Sequence, residues 1–181
     1  MRLDYPNDAV VVVAGVPGAG KTTLIRRTVD RETVQVLDTD DRRRAPGATP
    51  GRARLYLGHY ARIVRALLGH GPVVVHTRGT HAVSRGVVAA LAALRGRPAH
   101  LLLLDAAPAE AMAGQVARGR RVGAGEMDRQ VRRWGRLVRR LERSRGPWAT
   151  VLRLDRATAA QVTALDFAPP LPARGAAVVA A

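Results

Sequence analysis

The chain contains no cysteine and a single lysine, Lys21, among its 181 residues. The absence of cysteine excludes a disulfide framework, a thiolate metal site and a cysteine nucleophile, and it makes the cytoplasm the simplest expected location. Aromatic residues make up only 3%, so valine, leucine and alanine must build the core. No apolar run approaches the ~20 residues needed to span a bilayer, and the first residues show no signal-peptide pattern, so no membrane partner is expected.

Acidic residues are also scarce: 14 stand against 30 basic residues, which gives a formal net charge of +16. Every basic residue in that count except Lys21 is an arginine, so the charge reflects a general preference for arginine and is weak evidence for nucleic-acid binding. The few aromatic side chains also argue against a stacking platform for single-stranded nucleic acid. Nucleic acid is therefore an open partner, but not a favoured one.

Five short apolar runs alternate with segments of helical spacing. The runs are residues 10–14, 33–37, 72–76, 99–104 and 150–154. Such runs predict strands buried on both faces, and their alternation with helices predicts an α/β fold with a parallel sheet between helices. Residues 1–165 are expected to form one domain that ends in a short helix at 157–165, and residues 166–181 a flexible tail. Ligands are expected at the carboxyl ends of the strands.

The loop after the first run matches the phosphate-binding pattern G-x-x-x-x-G-K-[ST] at every fixed position. It lies between a β-branched strand and a helix, as the mechanism requires, so a chance glycine-rich turn is a weak alternative. The predicted nucleotide-binding residues are Gly15, Val16, Pro17, Gly18, Ala19, Gly20, Lys21, Thr22 and Thr23.

The fixed positions of this loop have chemical reasons. Glycines let backbone N–H groups turn toward phosphate oxygens, and the following helix presents its positive end to the same anion. Lys21 is expected to neutralise charge on the β- and γ-phosphates as a catalytic residue, and the Thr22 hydroxyl to ligate Mg²⁺. The base-reading pattern Asn-Lys-x-Asp of GTPases is absent because the only lysine is Lys21, which favours ATP.

Three aspartates follow the second run: Asp38, Asp40 and Asp41. A carboxylate at this strand end could accept the proton of an acceptor hydroxyl that attacks the γ-phosphorus, or it could hold a magnesium-bound water. The alternative is a solvated turn in which these side chains cap local backbone.

The phosphate loop, the segment Asp40-Asp41-Arg42-Arg43 and a later arginine-rich segment resemble the polynucleotide-kinase and zeta-toxin type of P-loop phosphotransferase. Gluconate kinases and chloramphenicol phosphotransferases are similar in layout. The resemblance implies a three-layer P-loop NTPase fold whose five strands, counted along the chain, lie in the order 2-3-1-4-5. It also implies that Asp40 is the general base and that Arg43 holds an anionic group of the acceptor. Asp38, which ends the same run, is also predicted to bind the acceptor.

One position departs from this family pattern. The third run ends in His76-Thr77, where relatives often have a carboxylate that assists magnesium. Asp38 or Asp105 could take that role instead. Arg78 and Arg85, which follow, are predicted to bind the acceptor.

The segment Arg118-Gly119-Arg120-Arg121 resembles the lid of such kinases. The resemblance implies that Arg118, with Arg121 or Arg120, stabilises charge on the transferring group when the lid closes, and that the lid occupies about 118–125. Glycines on either side, including Gly114, suit a mobile segment.

A long basic helix is predicted at residues 126–145, after the lid. Its arginines are expected to form a solvated or substrate-facing side. Its buried side is expected to consist of Trp134, Leu137, Val138 and Leu141.

Together these patterns predict an enzyme: an ATP-dependent kinase that moves the γ-phosphoryl group of Mg-ATP to a hydroxyl of a small, anionic acceptor. The expected cofactors are ATP and Mg²⁺, and the expected partners are the nucleotide and the small-molecule acceptor. A regulatory or nucleotide-binding P-loop ATPase without kinase activity is the first alternative. A kinase that acts on nucleic-acid 5′-hydroxyls is the second.

Overall fold

The computed structural model of the chain describes residues 1–38, 52–76, 82–116 and 123–168. The elements, in chain order, are β1 (Arg2–Pro6), β2 (Val10–Gly15), α1 (Lys21–Thr28), β3 (Gln35–Asp38), α2 (Arg52–Leu68), β4 (Val73–His76), α3 (Ala82–Leu94), β5 (Ala99–Leu104), α4 (Pro108–Val116), α5 (Ala124–Arg143), β6 (Thr150–Leu154), α6 (Arg156–Gln161) and β7 (Ala164–Ala168). None of the helices in these described ranges is long and apolar enough to cross a bilayer.

Five of the strands form one parallel sheet in the order β3-β4-β2-β5-β6. This is the order predicted from the sequence, and the α/β fold with a parallel sheet is confirmed. The central strand β2 is buried at all six positions, because it has a hydrogen-bonded neighbour on each side and packed layers above and below. The loop that follows β2 therefore lies at the middle of the sheet's carboxyl edge.

Strand register decides what lies beside that loop. Val13 of β2 pairs with His76 of β4, and Gly15 pairs with Leu104 of β5. Asp38 at the end of β3 pairs with His76 on the other side. The carboxyl ends of β3, β4, β2 and β5 therefore meet at one edge, which is where the sequence placed the ligand sites.

Strands β1 and β7 form a second sheet that was not predicted from the sequence. Strands β1 and β7 pair in parallel from Arg2↔Ala164 to Pro6↔Ala168. The Tyr5 ring stacks on Phe167 and meets His100 edge-on. The predicted last helix is wrong beyond Gln161, because residues 164–168 find a strand partner in β1. Residues 166–168 of the predicted tail belong to β7, and residues 169–181 lie outside the described ranges.

The other boundaries agree closely with expectation. Strands β5 and β6 have the predicted limits, and α5 begins and ends two residues before its predicted limits, a difference that is usual at helix ends. On α5, Trp134 and Val138 are buried, and Leu137 and Leu141 pack against the core, which confirms the predicted inner side of this helix.

Candidate nucleotide site

The phosphate loop joins the last residue of β2 to the first residue of α1. Gly18 and Gly20 both have φ near +90°, a conformation that L side chains rarely adopt. A Cβ on Gly18 would lie 2.0 Å from the Ala111 carbonyl oxygen, and one on Gly15 would lie 2.6 Å from the Leu104 carbonyl oxygen. Backbone conformation therefore requires glycine at 18 and 20, and close packing requires it at 15 and 18.

Helix α4 packs against the phosphate loop. A Cβ on Gly114 would lie 2.6 Å from the Gly18 carbonyl oxygen, so these two backbones are in direct contact. Gly114 lies inside α4 and does not belong to the lid segment with which the sequence analysis grouped it. Its role is close packing against the loop, and that role has no local signal in the sequence.

Lys21 lies against the loop that contains it. Its side chain is buried, and Nζ donates to the carbonyl oxygens of Gly15, at 2.8 Å, and Val16, at 2.9 Å. The ammonium is thereby held within the arc of backbone that a phosphate group would share. A compact cation with three donors can meet loop carbonyls and phosphate oxygens from one position.

Thr22 begins the first turn of α1 with a buried hydroxyl. Its side chain is 5% exposed, and Oγ1 has no hydrogen-bond partner among the described residues. A buried hydroxyl without a partner costs about 1–3 kcal/mol, so a native structure keeps one only where something else satisfies it. The helix start around it has a glycine N-cap, no side-chain cap bond and no acidic residue in its first turn. This is the chemistry that a Mg²⁺-bound phosphate would complete.

The acceptor side is described only in part. The backbone of Asp38 ends β3 beside His76, which is 6% exposed at the end of β4. Asp40, Asp41, Arg43 and Arg78 lie outside the described residues, as do the lid arginines Arg118, Arg120 and Arg121. Their predicted roles remain predictions. Among the described segments, β3 and β4 end side by side at the carboxyl edge of the sheet, and α4 contacts the phosphate loop at Gly114.

Arg85 is the predicted acceptor residue whose surroundings the structure does describe. It lies in the first turn of α3 and is 6% exposed. Burial, and next the positive charge of Arg140 on α5, lower the pKa of Arg85 to about 10. The charges of Arg85 and Arg140 are therefore close enough to repel each other, and an anion near them would reduce that repulsion. The contribution of Arg140 was not predicted from the sequence.

Asp105, which the sequence offered as a magnesium carboxylate, has other partners. Its Oδ1 accepts a 2.8 Å hydrogen bond from the indole Nε1 of Trp134, and its Oδ2 accepts one of 2.9 Å from Nε of Arg153. The carboxylate thereby ties the end of β5 to both α5 and β6. Both carboxylate oxygens are engaged in these contacts, which argues against Asp105 as the residue that supports magnesium. Among the described residues, no three His, Cys, Asp or Glu side chains form a metal-binding group.

Comparison with known proteins gives both a family and a fold. Residues 10–144 match the sequence profile of a family described as an AAA domain. No curated protein sequence matches the chain.

Solved structures with the same fold include proteins from several bacteria. The structure from the PezAT chromosomal toxin-antitoxin system of Streptococcus pneumoniae has a TM-score of 0.65 at 15% identity, over 87% of this chain and 71% of that one. A putative kinase from Chloroflexus aurantiacus has a TM-score of 0.59 at 17% identity, over 87% and 90%. A gluconokinase from Sinorhizobium meliloti 1021 has a TM-score of 0.56 at 19% identity, over 88% and 89%. At these identities the likeness shows the fold alone, an α/β fold of the P-loop NTPase type.

Proposed function

The chain belongs to this AAA domain family, and from that premise we propose that it is an ATP-dependent kinase. It moves the γ-phosphoryl group of Mg-ATP to a hydroxyl group of a small, anionic acceptor. The observation that carries the proposal is the phosphate loop itself, with a buried Thr22 hydroxyl that has no described partner beside a buried Lys21 ammonium. Both groups occupy the start of α1, and together they suit a metal-bound triphosphate.

Different residues of the phosphate loop would bind the phosphates and the metal. Backbone N–H groups of Gly18, Gly20, Lys21 and Thr22 would donate to the phosphates, and the Lys21 ammonium would neutralise charge that develops on the β- and γ-oxygens. Thr22 would hold Mg²⁺ through its hydroxyl. The metal would supply positive charge that offsets the negative charge of the triphosphate. The remaining contacts of this site come from the loop's own backbone.

Asp40 is the candidate base on the acceptor side. As the acceptor oxygen forms a bond to the γ-phosphorus, the bond from phosphorus to the β–γ bridging oxygen breaks, and ADP leaves. The proton of the acceptor hydroxyl passes to the Asp40 carboxylate. Asp38, Arg43, Arg78 and Arg85 are proposed to hold the acceptor. The buried Arg85 and its neighbour Arg140 support an acceptor with negative charge.

Arg118 and Arg121 are proposed to complete the site from the lid. Helix α4, which precedes them, is in direct backbone contact with the phosphate loop at Gly114. This contact supports the proposal that a lid following α4 brings an arginine to the γ-phosphate, where it would stabilise charge in the transition state.

A second candidate function has one specific observation in its favour. Strand β4 ends in His76, and the Asp105 carboxylate after β5 is engaged by Trp134 and Arg153. Neither strand therefore supplies the usual free carboxylate near magnesium, which suits a regulatory P-loop protein that binds ATP without phosphorylating an acceptor. A kinase of nucleic-acid 5′-hydroxyl ends is the less favoured alternative.

The test is a transfer screen with γ-labelled ATP against sugars, nucleosides, antibiotics and oligonucleotides. Once an acceptor is found, Asp40→Asn should lower the transfer rate at least about a hundredfold while Mg-ATP binding persists, because a positioned base contributes about 10²–10⁴. Asp4→Asn, at an exposed position of β1, is the matched control and should transfer at the wild-type rate. Wild-type transfer by Asp40→Asn would refute the base assignment, and ATP binding with no acceptor in the whole panel would favour the regulatory alternative.

A further inference from the structure

Helix α5 carries seven arginines on one side. They are Arg129, Arg132, Arg133, Arg136, Arg139, Arg140 and Arg143, and all are exposed. At 100° per residue, these positions fall at regular steps within an arc of about 120° on the helix surface. Along the axis they extend for about 21 Å. The arginine side of α5 is thus a continuous basic stripe.

The orientation of this stripe is fixed by the other side of the helix. Met127, Trp134 and Val138 are buried, and Leu137 and Leu141 pack on the core. The hydrogen bond from Trp134 to Asp105 pins the same side to β5. Because the apolar side is committed to the core, the arginine stripe must face outward on a rigid element.

Little negative charge offsets the stripe within the described part of the chain. Arg129 pairs with Glu126 at 2.7 Å, and the nearby charge of Arg133 also acts on that carboxylate. Arg140 faces Arg85, which is another cation. Arg132, Arg136 and Arg143 have no described ion pair with a carboxylate. A general preference for arginine explains why these residues are not lysine, but it does not supply the missing acidic partners.

We propose that the arginine stripe of α5 binds the phosphate backbone of double-stranded nucleic acid. Guanidinium groups form paired hydrogen bonds with phosphate oxygens, and a stripe of about 21 Å spans about six phosphates of one strand. The stripe shares Arg140 with the proposed acceptor site, but duplex binding by the other six arginines does not depend on the reaction proposed above.

Two features select a duplex over other polyanions. The tryptophans at 134 and 148 are both buried, so they supply no stacking surface of the kind that single strands use. A membrane-bound helix inserts its apolar side between lipids, and here that side is buried in the protein core. A rigid row of guanidinium groups without an apolar rim suits a regular array of phosphates.

The test compares two triple variants of equal charge in the full chain. Arg132→Gln, Arg136→Gln and Arg143→Gln together remove the centre of the stripe. Arg62→Gln, Arg65→Gln and Arg156→Gln remove three exposed charges from α2 and α6 and serve as the matched control. Binding of a fluorescent DNA duplex of about two helical turns is followed by anisotropy across a salt series.

The stripe variant should bind the duplex at least about tenfold more weakly than wild type, and its log–log salt slope should be smaller by about 2.7, at about 0.9 for each lost phosphate contact. The control variant should keep most of the duplex affinity and most of the salt slope. Equal losses in the two variants would overturn the proposal, because net charge alone would then explain the binding. So would absence of duplex binding, or binding to vesicles of phosphatidylserine but not to the duplex. Both variants should melt at or above the wild-type temperature, because no described contact is removed.

Discussion

Replacing Asp105 by alanine should destabilise the fold and leave nucleotide binding in place. The carboxylate accepts a 2.8 Å hydrogen bond from the indole N–H of Trp134, whose side chain is 5% exposed. It also pairs with Arg153, whose side chain is 52% exposed. These two contacts differ in burial, and so they differ in their expected energies.

The indole contact dominates the expected loss. A buried donor left without an acceptor costs about 1–3 kcal/mol, while a half-exposed ion pair contributes about 0–1 kcal/mol. Asp105→Ala should therefore lower the free energy of unfolding by about 2 kcal/mol, mostly through Trp134. For a chain of this size that corresponds to a fall of about 4–8 °C in melting temperature.

Urea unfolding and thermal melting measure this loss, with two companion variants. Arg153→Gln removes only the exposed pair and should cost less than about 1 kcal/mol. Asp105→Asn keeps an oxygen that can accept from Trp134, so its cost should be closer to that of Arg153→Gln. A Mg-ATP titration of Asp105→Ala should give the wild-type affinity, because both carboxylate oxygens are committed to structural contacts.

Two results would refute this reasoning. If Asp105→Ala and Arg153→Gln lose the same stability, the buried indole bond is not the main contribution. If Asp105→Ala keeps its stability but loses the magnesium dependence of ATP binding, Asp105 supports the metal as the sequence first suggested.

Three further predictions concern the phosphate loop and the second sheet. Gly114→Ala should weaken Mg-ATP binding despite the better helix propensity of alanine, because the new Cβ would lie 2.6 Å from the Gly18 carbonyl oxygen. In the control Gly86→Ala, in α3, the new Cβ would meet no atom within 4 Å, so the free energy of unfolding should rise by about 0.5–1 kcal/mol. Thr22→Val should raise the Mg²⁺ concentration needed for ATP binding, and Thr22→Ser should not. Burial lowers the pKa of His100 in the folded chain, so the imidazole of the unfolded chain is protonated first as the pH falls. The free energy of unfolding should therefore fall as the pH drops below about 6.5, and urea titrations should show a smaller fall for His100→Gln. An unchanged ATP affinity for Gly114→Ala would count against its contact with Gly18. An unchanged magnesium requirement for Thr22→Val would count against Thr22 as a magnesium ligand. Equal pH dependence with and without His100 would count against the burial of its imidazole as the cause.

The main sheet could be predicted because its signals are local. Strand β2 is a run of β-branched residues that stops at a glycine loop, and β5 is an apolar run that stops at Asp105. Continuous apolar runs of this length suit strands that are covered on both faces. The phosphate loop could be predicted for the same reason, since its fixed residues lie within eight consecutive positions.

The second sheet could not be predicted, because its partners are far apart in the chain. Arg2 pairs with Asp166 at 2.6 Å across a separation of 164 residues, and Tyr5 stacks on Phe167. Short polar-apolar segments such as β1 and β7 become strands only when each supplies the other's hydrogen bonds. Nothing within either segment specifies that partner.

The same limit applied within the candidate site. The hydrogen bond from Trp134 to Asp105 and the backbone contact between Gly114 and Gly18 are tertiary contacts between separate elements. From the sequence, Asp105 was a possible magnesium carboxylate and Gly114 a flexible position beside the lid. Both interpretations followed residue type, and both changed once the neighbours in space were known.

The most direct test of the account is a calorimetric titration of Mg-ATP into the wild-type chain and into Lys21→Ala and Lys21→Arg. The account predicts that wild type binds one equivalent of Mg-ATP, and that both variants bind at least about tenfold more weakly, because Lys21 supplies a buried charge of a shape that arginine does not reproduce. Arg62→Ala, an exposed change on α2, should bind as wild type does. Wild-type affinity in Lys21→Ala would contradict the nucleotide site on which every other part of the account depends.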